Sequence, residues 1–342
     1  MTDPKLPILI AGSPGSPYTR KMLAVLRYRR LLYRFVHASK VRDSLPAPKV
    51  ALLPTFYFPD EAGALAPMTD SSPIIRRLER EHVGRSVIPA DPALALIDAL
   101  IEDYGDEWLT KAMFHYRWSF ADDITKSATV LPNWFGKPLI DGELKAMGDG
   151  FAARQIGRLS YVGSNSVTAA TIEASYKRLL AILDRHFAVH PFVLGAQPGA
   201  GDFALYGQLT QLALFDPTPM AAATAMAPRV IAWAHVIEDL SGEETTGWVD
   251  PAALPATVTA LLGEIGRTYV PLLLANSYAV QGGADRVSTV IDGRVWEQAP
   301  FPYQAKCLAA LRAQFEALAP ADRSRVNHAL AGTGCGALFD DA

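Results

Sequence analysis

Cysteine is nearly absent from the chain, since only Cys307 and Cys335 occur among its 342 residues. Two cysteines cannot form a disulfide framework, nor a zinc site that rests on cysteine pairs. We therefore expect no metal centre. So few cysteines also fit a reducing compartment such as the cytoplasm.

An excess of charge of one sign is also lacking, because 32 lysines and arginines stand against 35 aspartates and glutamates. This balance gives no electrostatic reason to expect nucleic acid or an anionic membrane as a partner. No apolar run approaches the roughly 18 residues of a membrane-spanning helix. The run 6–12 is too short for a signal-peptide core. We therefore expect a cytoplasmic protein.

What the chain does contain is apolar residues, at 50% of the total, which is enough for large cores. Its length suggests about two domains. The N-terminal part alternates strand-like and helix-like patterns. The elements predicted there are a strand over 6–11, a helix from Pro17, strands over 32–38, 55–58 and 64–68, and a helix over 74–81.

After Pro89 the pattern becomes mainly helical. Helices are predicted over 94–118, 172–187, 203–214, 229–240, 253–278 and 303–318. Residues 119–168 are less regular. Within 250–342, two strand-like runs flank Asp292-Gly293, which is a strong hairpin signal. This last segment is either a small appended domain or an elaboration of the helical part.

The first feature that could carry chemistry is Ser16, at the predicted start of the first helix. A serine there is often only an N-cap, whose hydroxyl satisfies free backbone N–H groups. The alternative is that Ser16 lies where the helix dipole and those N–H groups favour an anion such as a thiolate.

Two more features follow in the N-terminal part. Leu53-Pro54 precedes a strand, either as an ordinary edge-strand start or as a cis proline that turns backbone groups towards a ligand. Asp70-Ser71 precedes a helix, either as an N-cap or as a pair that holds a ligand ammonium on Asp70 and a ligand carboxylate on Ser71.

In this order and spacing, the three features resemble the cytosolic glutathione transferases. The resemblance implies an α/β thioredoxin-like N-terminal domain over 1–85, which binds glutathione, and an all-α substrate domain over 90–245. It leaves 250–342 as a C-terminal extension with helices and a short β-hairpin.

The resemblance also implies roles for single residues. Ser16 takes the catalytic position, with Ser13 as the alternative hydroxyl. Leu53-Pro54 is similar to the element that holds the cysteinyl backbone of glutathione, and Asp70-Ser71 to the pair that grips its γ-glutamyl group. Asp202 takes the acidic position of a capping segment in the helical domain, although Gly199 stands where serine or threonine is usual.

The electrophile site is expected between the two domains. Tyr18, Trp108 and His115 are its tentative residues, although aromatic residues at helical spacing more often belong to a core. His115 is more simply a hydrogen-bonded histidine without a chemical role. Asp103 is more simply an exposed charge than a group that reaches glutathione in a partner subunit.

The function implied is conjugation of glutathione, as co-substrate, to a small hydrophobic electrophile by a homodimer that contains no metal. Isomerase, dehalogenase or peroxidase chemistry with glutathione would show the same residues. The alternative is a non-catalytic protein of this fold that binds ligands or other proteins. Thiol–disulfide exchange is not expected, because Ser16 and Thr19 occupy the two cysteine positions of a glutaredoxin.

Overall fold

The computed structural model describes residues 7–41, 43–136, 138–244 and 247–340. Its N-terminal part contains a four-stranded sheet in the order β2-β1-β3-β4. The strands are β1 (Ile8–Gly12), β2 (Tyr33–His37), β3 (Thr55–Pro59) and β4 (Leu65–Met68). Strand β1 runs parallel to β2 and antiparallel to β3, and β3 runs antiparallel to β4.

Three helices complete this part: α1 (Pro17–Tyr28), α2 (Ala38–Val41) and α3 (Ser71–Glu81). Met22, Val25 and Leu26 on α1 are fully buried, as the apolar spacing predicts. The order β-α-β followed by β-β-α is the thioredoxin-like arrangement, so the predicted fold class is confirmed for this part.

The following part is helical, as predicted. Its helices are α4 (Pro92–Glu107), α5 (Leu109–Ser119), α6 (Ala121–Val130), α7 (Asp141–Ile156), α8 (Ala169–His186), α9 (Ala200–Leu212), α10 (Pro217–Met226) and α11 (Pro228–Ile237). Two 3₁₀ turns, at Leu131–Phe135 and Leu159–Val162, lie before and after α7. The helix predicted over 94–118 is divided in two at Trp108.

The expectation of irregular structure over 119–168 is wrong, because α6 and α7 fill much of this region. The glycines that suggested irregularity have a packing role. A Cβ on Gly148 of α7 would lie 2.1 Å from the backbone oxygen of Ala128 on α6. Glycine therefore permits α6 and α7 to approach closely. We call residues 120–136 and 138–163 the cap.

The C-terminal extension contains α12 (Ala256–Gln281), β5 (Val287–Ile291), β6 (Arg294–Gln298), α13 (Pro302–Glu316) and α14 (Pro320–Leu330), with 3₁₀ turns at Pro251–Ala253 and Cys335–Leu338. The predicted hairpin is confirmed. Its two turn residues, Asp292 and Gly293, have φ of 52° and 72°, the left-handed conformation that a tight two-residue hairpin turn requires.

The extension packs on the helical part through a shared core. The Trp108 and Trp296 rings lie 5.3 Å apart, and those of Tyr104 and Tyr269 lie 6.1 Å apart. Helix α12 has the length and apolar composition of a membrane span, but 56% of that window is buried within the fold. We propose that 250–342 elaborates the helical part rather than forming a separate domain.

The N-terminus of α9 shows how the missing cap hydroxyl at Gly199 is replaced. The Asp98 carboxylate on α4 accepts hydrogen bonds from the N–H groups of Ala200 at 3.1 Å and Gly201 at 3.0 Å. Asp202 accepts from the Gly199 N–H at 2.9 Å. A Cβ on Gly199 would lie 2.3 Å from Asp98 Oδ1. A carboxylate from another helix thus occupies the space of a capping side chain.

Gly199→Ala is expected to lower the free energy of unfolding by about 1–3 kcal/mol, because the added methyl group displaces Asp98 from its two N–H donors. Asp98→Ala should also destabilise the protein. Combining Asp98→Ala with Gly199→Ser should recover part of the loss, since serine can then cap α9 itself. Denaturant midpoints measure these changes.

The matched control is Gly142→Ala on α7, where an added Cβ meets no atom within 4 Å. Its stability should be unchanged or slightly higher, because alanine favours helix more than glycine does. If Asp98→Ala combined with Gly199→Ser were less stable than Asp98→Ala alone, the result would contradict the capping role of Asp98.

Candidate functional site

A cavity of about 880 Å³ lies between the N-terminal part and the cap. It is lined by the loop between β1 and α1, the start of α1 and the segment before β3. Aromatic residues from α5, the cap and its 3₁₀ turn also line it, and we call them the aromatic wall: Phe114, Trp118, Trp134, Phe135 and Phe151. Ser13, Ser16, Tyr18 and Leu53 are among the lining residues.

Ser16 is the N-cap of α1 and is also near Leu53. Its Oγ accepts a hydrogen bond from the Thr19 N–H at 3.2 Å. Its hydroxyl donates a long hydrogen bond of 3.5 Å to the Leu53 backbone oxygen. The Leu53-Pro54 peptide bond is cis. The structure therefore brings the first two sequence features together at the cavity.

Ser13 shapes the same loop through its backbone. Its carbonyl accepts from the Ser16 N–H at 3.0 Å, and its own N–H donates to Thr19 Oγ1 at 3.4 Å. The cap closes on this loop, since a Cβ on Gly15 would lie 2.7 Å from Leu131 Cδ2. Ser13 and Ser16 both line the cavity, so both remain candidate hydroxyls.

Asp70 and Ser71 lie outside the residues that line the cavity. Asp70 is the N-cap of α3 and has a φ of 81°, a left-handed value that is uncommon for a residue other than glycine. Backbone outliers of this kind cluster at functional sites. The Asp70 Oδ2 atom accepts a hydrogen bond of 2.5 Å from the Tyr303 hydroxyl.

Tyr303 belongs to α13 and is 233 positions from Asp70 in sequence. Burial, together with the bond to Asp70, raises the pKa of Tyr303 above its usual value, so its hydroxyl stays protonated and donates. Sequence reasoning missed this residue, because no local pattern connects a tyrosine of the extension with the start of α3.

Ser71 is buried and its side chain contacts a buried cation. Lys21 Nζ donates to Ser71 Oγ at 3.0 Å, to Glu102 Oε1 at 2.9 Å and to Asp106 Oδ2 at 2.6 Å. Ser72 donates to Glu102 at 2.8 Å. We call Lys21, Glu102 and Asp106 the buried charge cluster. It joins α1 and α3 of the N-terminal part to α4 of the helical part.

The two carboxylates of this cluster respond differently to burial. For Glu102 burial alone would raise the pKa, but Lys21 and Arg76 outweigh it and hold the pKa at about 2. For Asp106 burial dominates over Lys21 and raises the pKa to about 6. Lys21 therefore stabilises charged carboxylates that the apolar surroundings disfavour.

Of the tentative electrophile-site residues, only Tyr18 lines the cavity. Its hydroxyl proton is already donated within the protein, to the Asp106 backbone oxygen at 2.7 Å. Trp108 is 1% exposed and donates from Nε1 to Ser175 Oγ at 3.1 Å. His115 is 4% exposed, with Nδ1 at 2.9 Å from Ser164 Oγ. The structure places both in the core.

Asp103 is not an exposed charge, contrary to expectation, and α12 of its own chain covers it. The Tyr269 hydroxyl donates to Asp103 at 2.7 Å. Burial raises the pKa of Asp103 to about 7 and also raises the pKa of the neighbouring Cys307 thiol. Cys307 therefore stays a thiol and is not an activated nucleophile.

Comparison with protein families gives two matches. Residues 10–86 match the N-terminal domain of glutathione S-transferase, and residues 148–235 match the C-terminal domain of glutathione S-transferase. No curated protein sequence matches the chain.

Three of the solved structures that match the chain come from Pseudomonas and Burkholderia species. A GST-like protein from Pseudomonas syringae is 13% identical, with 68% of this chain and 66% of that one covered and a TM-score of 0.41. A glutathione transferase from Pseudomonas putida with bound glutathione disulfide is 15% identical, over 67% and 85%, with a TM-score of 0.42. One from Burkholderia graminis with two bound glutathione molecules per subunit is 18% identical, over 75% and 87%, with a TM-score of 0.40.

Lys21→Met should lower the free energy of unfolding by about 3–5 kcal/mol, because it leaves two buried carboxylates without their cation. The deficit should shrink as the pH falls from 7 towards 5. Without Lys21 the native-state pKa values of Glu102 and Asp106 rise, so the folded variant binds protons that the unfolded chain does not. Denaturation at several pH values measures both effects.

The matched control is Lys145→Met, which breaks the exposed Lys145–Asp149 pair at 2.6 Å. Its cost should be at most about 0.5 kcal/mol and nearly independent of pH. A Lys21→Met deficit that stays constant or grows towards acid pH would contradict the role of Lys21.

Proposed function

We propose that the chain, which matches both domains of glutathione S-transferase over residues 10–86 and 148–235, is a glutathione-dependent transferase. Glutathione is the co-substrate, and its thiolate attacks a small hydrophobic electrophile. The observation that carries this proposal is the position of Ser16, at the start of α1 and 3.5 Å from the Leu53 backbone oxygen, beside an aromatic cavity of about 880 Å³.

Ser16 is suited to stabilise a thiolate. Its Oγ accepts from the Thr19 N–H, and the bond that its own proton makes to Leu53 is long. That proton can turn to a glutathione sulfur without breaking the N-cap. The positive end of the α1 dipole favours the same negative charge. The Leu53-Pro54 segment then holds the cysteinyl backbone of glutathione.

Asp70 and the N-terminus of α3 are proposed to hold the γ-glutamyl end. The Asp70 carboxylate pairs with the ammonium group. The first N–H groups of α3 have no partner within the helix and suit the carboxylate. The Ser71 hydroxyl contacts Lys21 and Asp106 beneath the site, so Ser71 contributes chiefly through its backbone and its position.

Activation of the thiol accounts for only part of the expected increase in rate. A free thiol with a pKa near 8.5 is a few per cent thiolate at pH 7. Lowering that pKa by about two units corresponds to about 2.7 kcal/mol and raises the thiolate fraction at most about 25-fold. Because nucleophilicity falls with pKa, orientation of the electrophile by the aromatic wall must supply more.

Ser16→Ala is expected to raise the thiol pKa of bound glutathione by about one unit or more towards the free value, because the sulfur loses its donor. Thiolate absorbance against pH measures it. Ser16→Thr keeps the hydroxyl and is the matched control. Ser16→Ala also removes the N-cap, at a cost of about 1 kcal/mol in stability, so the pKa is measured under folded conditions. An unchanged pKa in Ser16→Ala would remove Ser16 from the mechanism, and a raised pKa in Ser13→Ala would assign the role to Ser13.

Tyr303→Phe is expected to tighten glutathione binding by several fold, at most about tenfold, because the ammonium then no longer competes with the Tyr303 hydroxyl for Asp70. Calorimetric titration with glutathione measures the affinity. Tyr278→Phe is the control, since Tyr278 is 81% exposed on α12. Weaker binding in Tyr303→Phe would show that Tyr303 orients Asp70 for the ligand instead.

The resemblance also implies a homodimer that lies in the cytoplasm and removes reactive electrophiles, and we propose all three properties. The dimer contact cannot use the faces of α4 and α8 that α12 and α13 cover. Light scattering that shows a monomer would count against the dimer. Turnover of a generic aromatic halide, together with retention on immobilised glutathione, supports the enzyme. Retention without turnover across a broad panel would favour a binding protein.

A further inference from the structure

The charged residues that line the cavity are all basic. Arg117, Arg154 and Arg158 line it together with His37, and no aspartate or glutamate of the described residues does. A site for a purely neutral, apolar electrophile would not need this bias. The three arginines differ, however, in whether their charge is already balanced.

Arg117 is balanced within the protein. It is buried, and its Nε lies 2.9 Å from Asp216 Oδ1, while its Nη2 donates to Gln211 at 2.6 Å. Its Nη1 makes a 3.4 Å contact with the Gly15 backbone oxygen. Arg117 therefore holds the loop below Ser16 and has no charge to offer a ligand.

Arg154 and Arg158 are different. Arg154 lies in the last turn of α7 and Arg158 lies two residues after its end, and both are exposed. In the part of the chain that the structure describes, neither takes part in an ion pair. Between them, Gln155 also lines the cavity, and its buried side-chain oxygen has no hydrogen-bond partner among the residues described.

These groups stand beside the aromatic wall. The Arg154 guanidinium lies 5.5 Å from the centre of the Phe151 ring. Phe151 in turn packs against Trp118 and Phe135, with ring centres 5.8 Å and 5.7 Å apart. An aromatic molecule on this wall would place a substituent next to two unpaired guanidinium groups.

We propose that the second substrate is an aromatic anion, an arene that carries a sulfonate, carboxylate or phosphate group, and that Arg154 and Arg158 bind this group. The proposal rests on the proposed function, because it names the class of electrophile. Guanidinium groups bind such oxyanions through charge-assisted hydrogen bonds.

Two other roles for Arg154 and Arg158 compete with this proposal. The first is that arginine near a helix C-terminus offsets the helix dipole, which accounts for Arg154 in the last turn of α7 and for Arg158 just after it without any ligand. The second is that these arginines bind the glycyl carboxylate of glutathione. The Arg154 guanidinium lies 5.5 Å from the Phe151 ring of the aromatic wall, which favours the aromatic substrate.

The test uses two fluorescent probes that share one arene, without glutathione: 1-anilinonaphthalene-8-sulfonate and the uncharged N-phenyl-1-naphthylamine. The Arg154→Gln/Arg158→Gln double variant should bind the sulfonate about tenfold or more weakly and the neutral probe within about twofold of the parent. The Arg154→Lys/Arg158→Lys variant should recover part of the loss. The loss should shrink at high salt, because both groups are exposed.

Arg185→Gln is the matched control, since Arg185 is an exposed arginine in the last turn of α8, away from the cavity. It should change neither affinity. Equal losses for the two probes, or none, would overturn the proposal. So would a fall in glutathione affinity as large as that for the sulfonate. Normal probe discrimination with no glutathione binding to the parent protein would overturn the transferase function but leave the anion site in place.

Discussion

The rest of the structure depends on the hydrogen bonds and ion pairs that the buried cation Lys21 makes. It stands on α1, between Ser71 of α3 and the two carboxylates of α4, and its side chain is 1% exposed. A buried lysine is tolerated only when its charge is compensated and its three N–H donors are used, and here Ser71, Glu102 and Asp106 use all three. The sheet part and the helical part can satisfy these groups only together. The cluster therefore specifies one relative placement of α1, α3 and α4, and with it the mouth of the cavity.

Close backbone approach reinforces that placement. A Cβ on Gly207 of α9 would lie 2.7 Å from the Pro17 backbone oxygen, so α9 presses against the first turn of α1. Ser16 is the residue before that turn. The start of α9 is in turn held by Asp98 from α4. The position of the proposed catalytic hydroxyl thus depends on a chain of contacts from α4 through α9 to α1, none of which touches a ligand.

Local patterns in the sequence predict much of this. The alternation of strands and helix in the first part, the N-cap at Ser16 and the hairpin at Asp292-Gly293 depend on neighbouring residues, and the structure contains all three. The helices of the cap were not predicted, because a glycine such as Gly148 disfavours a helix. In the structure, Gly148 permits α6 and α7 to pack closely. Lys21 and Tyr303 were missed for a different reason. Their roles come from partners 81 and 233 positions away, and no periodicity records such pairs.

The cap and the extension contact different parts of the proposed site. The cap supplies Trp134, Phe135 and Phe151 of the aromatic wall, and also the two arginines that make no ion pair among the described residues. The extension supplies Tyr303, whose hydroxyl donates to Asp70, the residue proposed to bind the γ-glutamyl ammonium. The extension cannot be treated as an addition that leaves the site intact when removed. Its loss would also uncover Trp108, which packs on Trp296, and Asp103, which accepts from Tyr269. Those residues lie on α4 and at its end, beside the buried charge cluster, so removing the extension would also disturb the structure. Its proposed effect on glutathione affinity can therefore be separated from its structural role only by single substitutions such as the one at Tyr303.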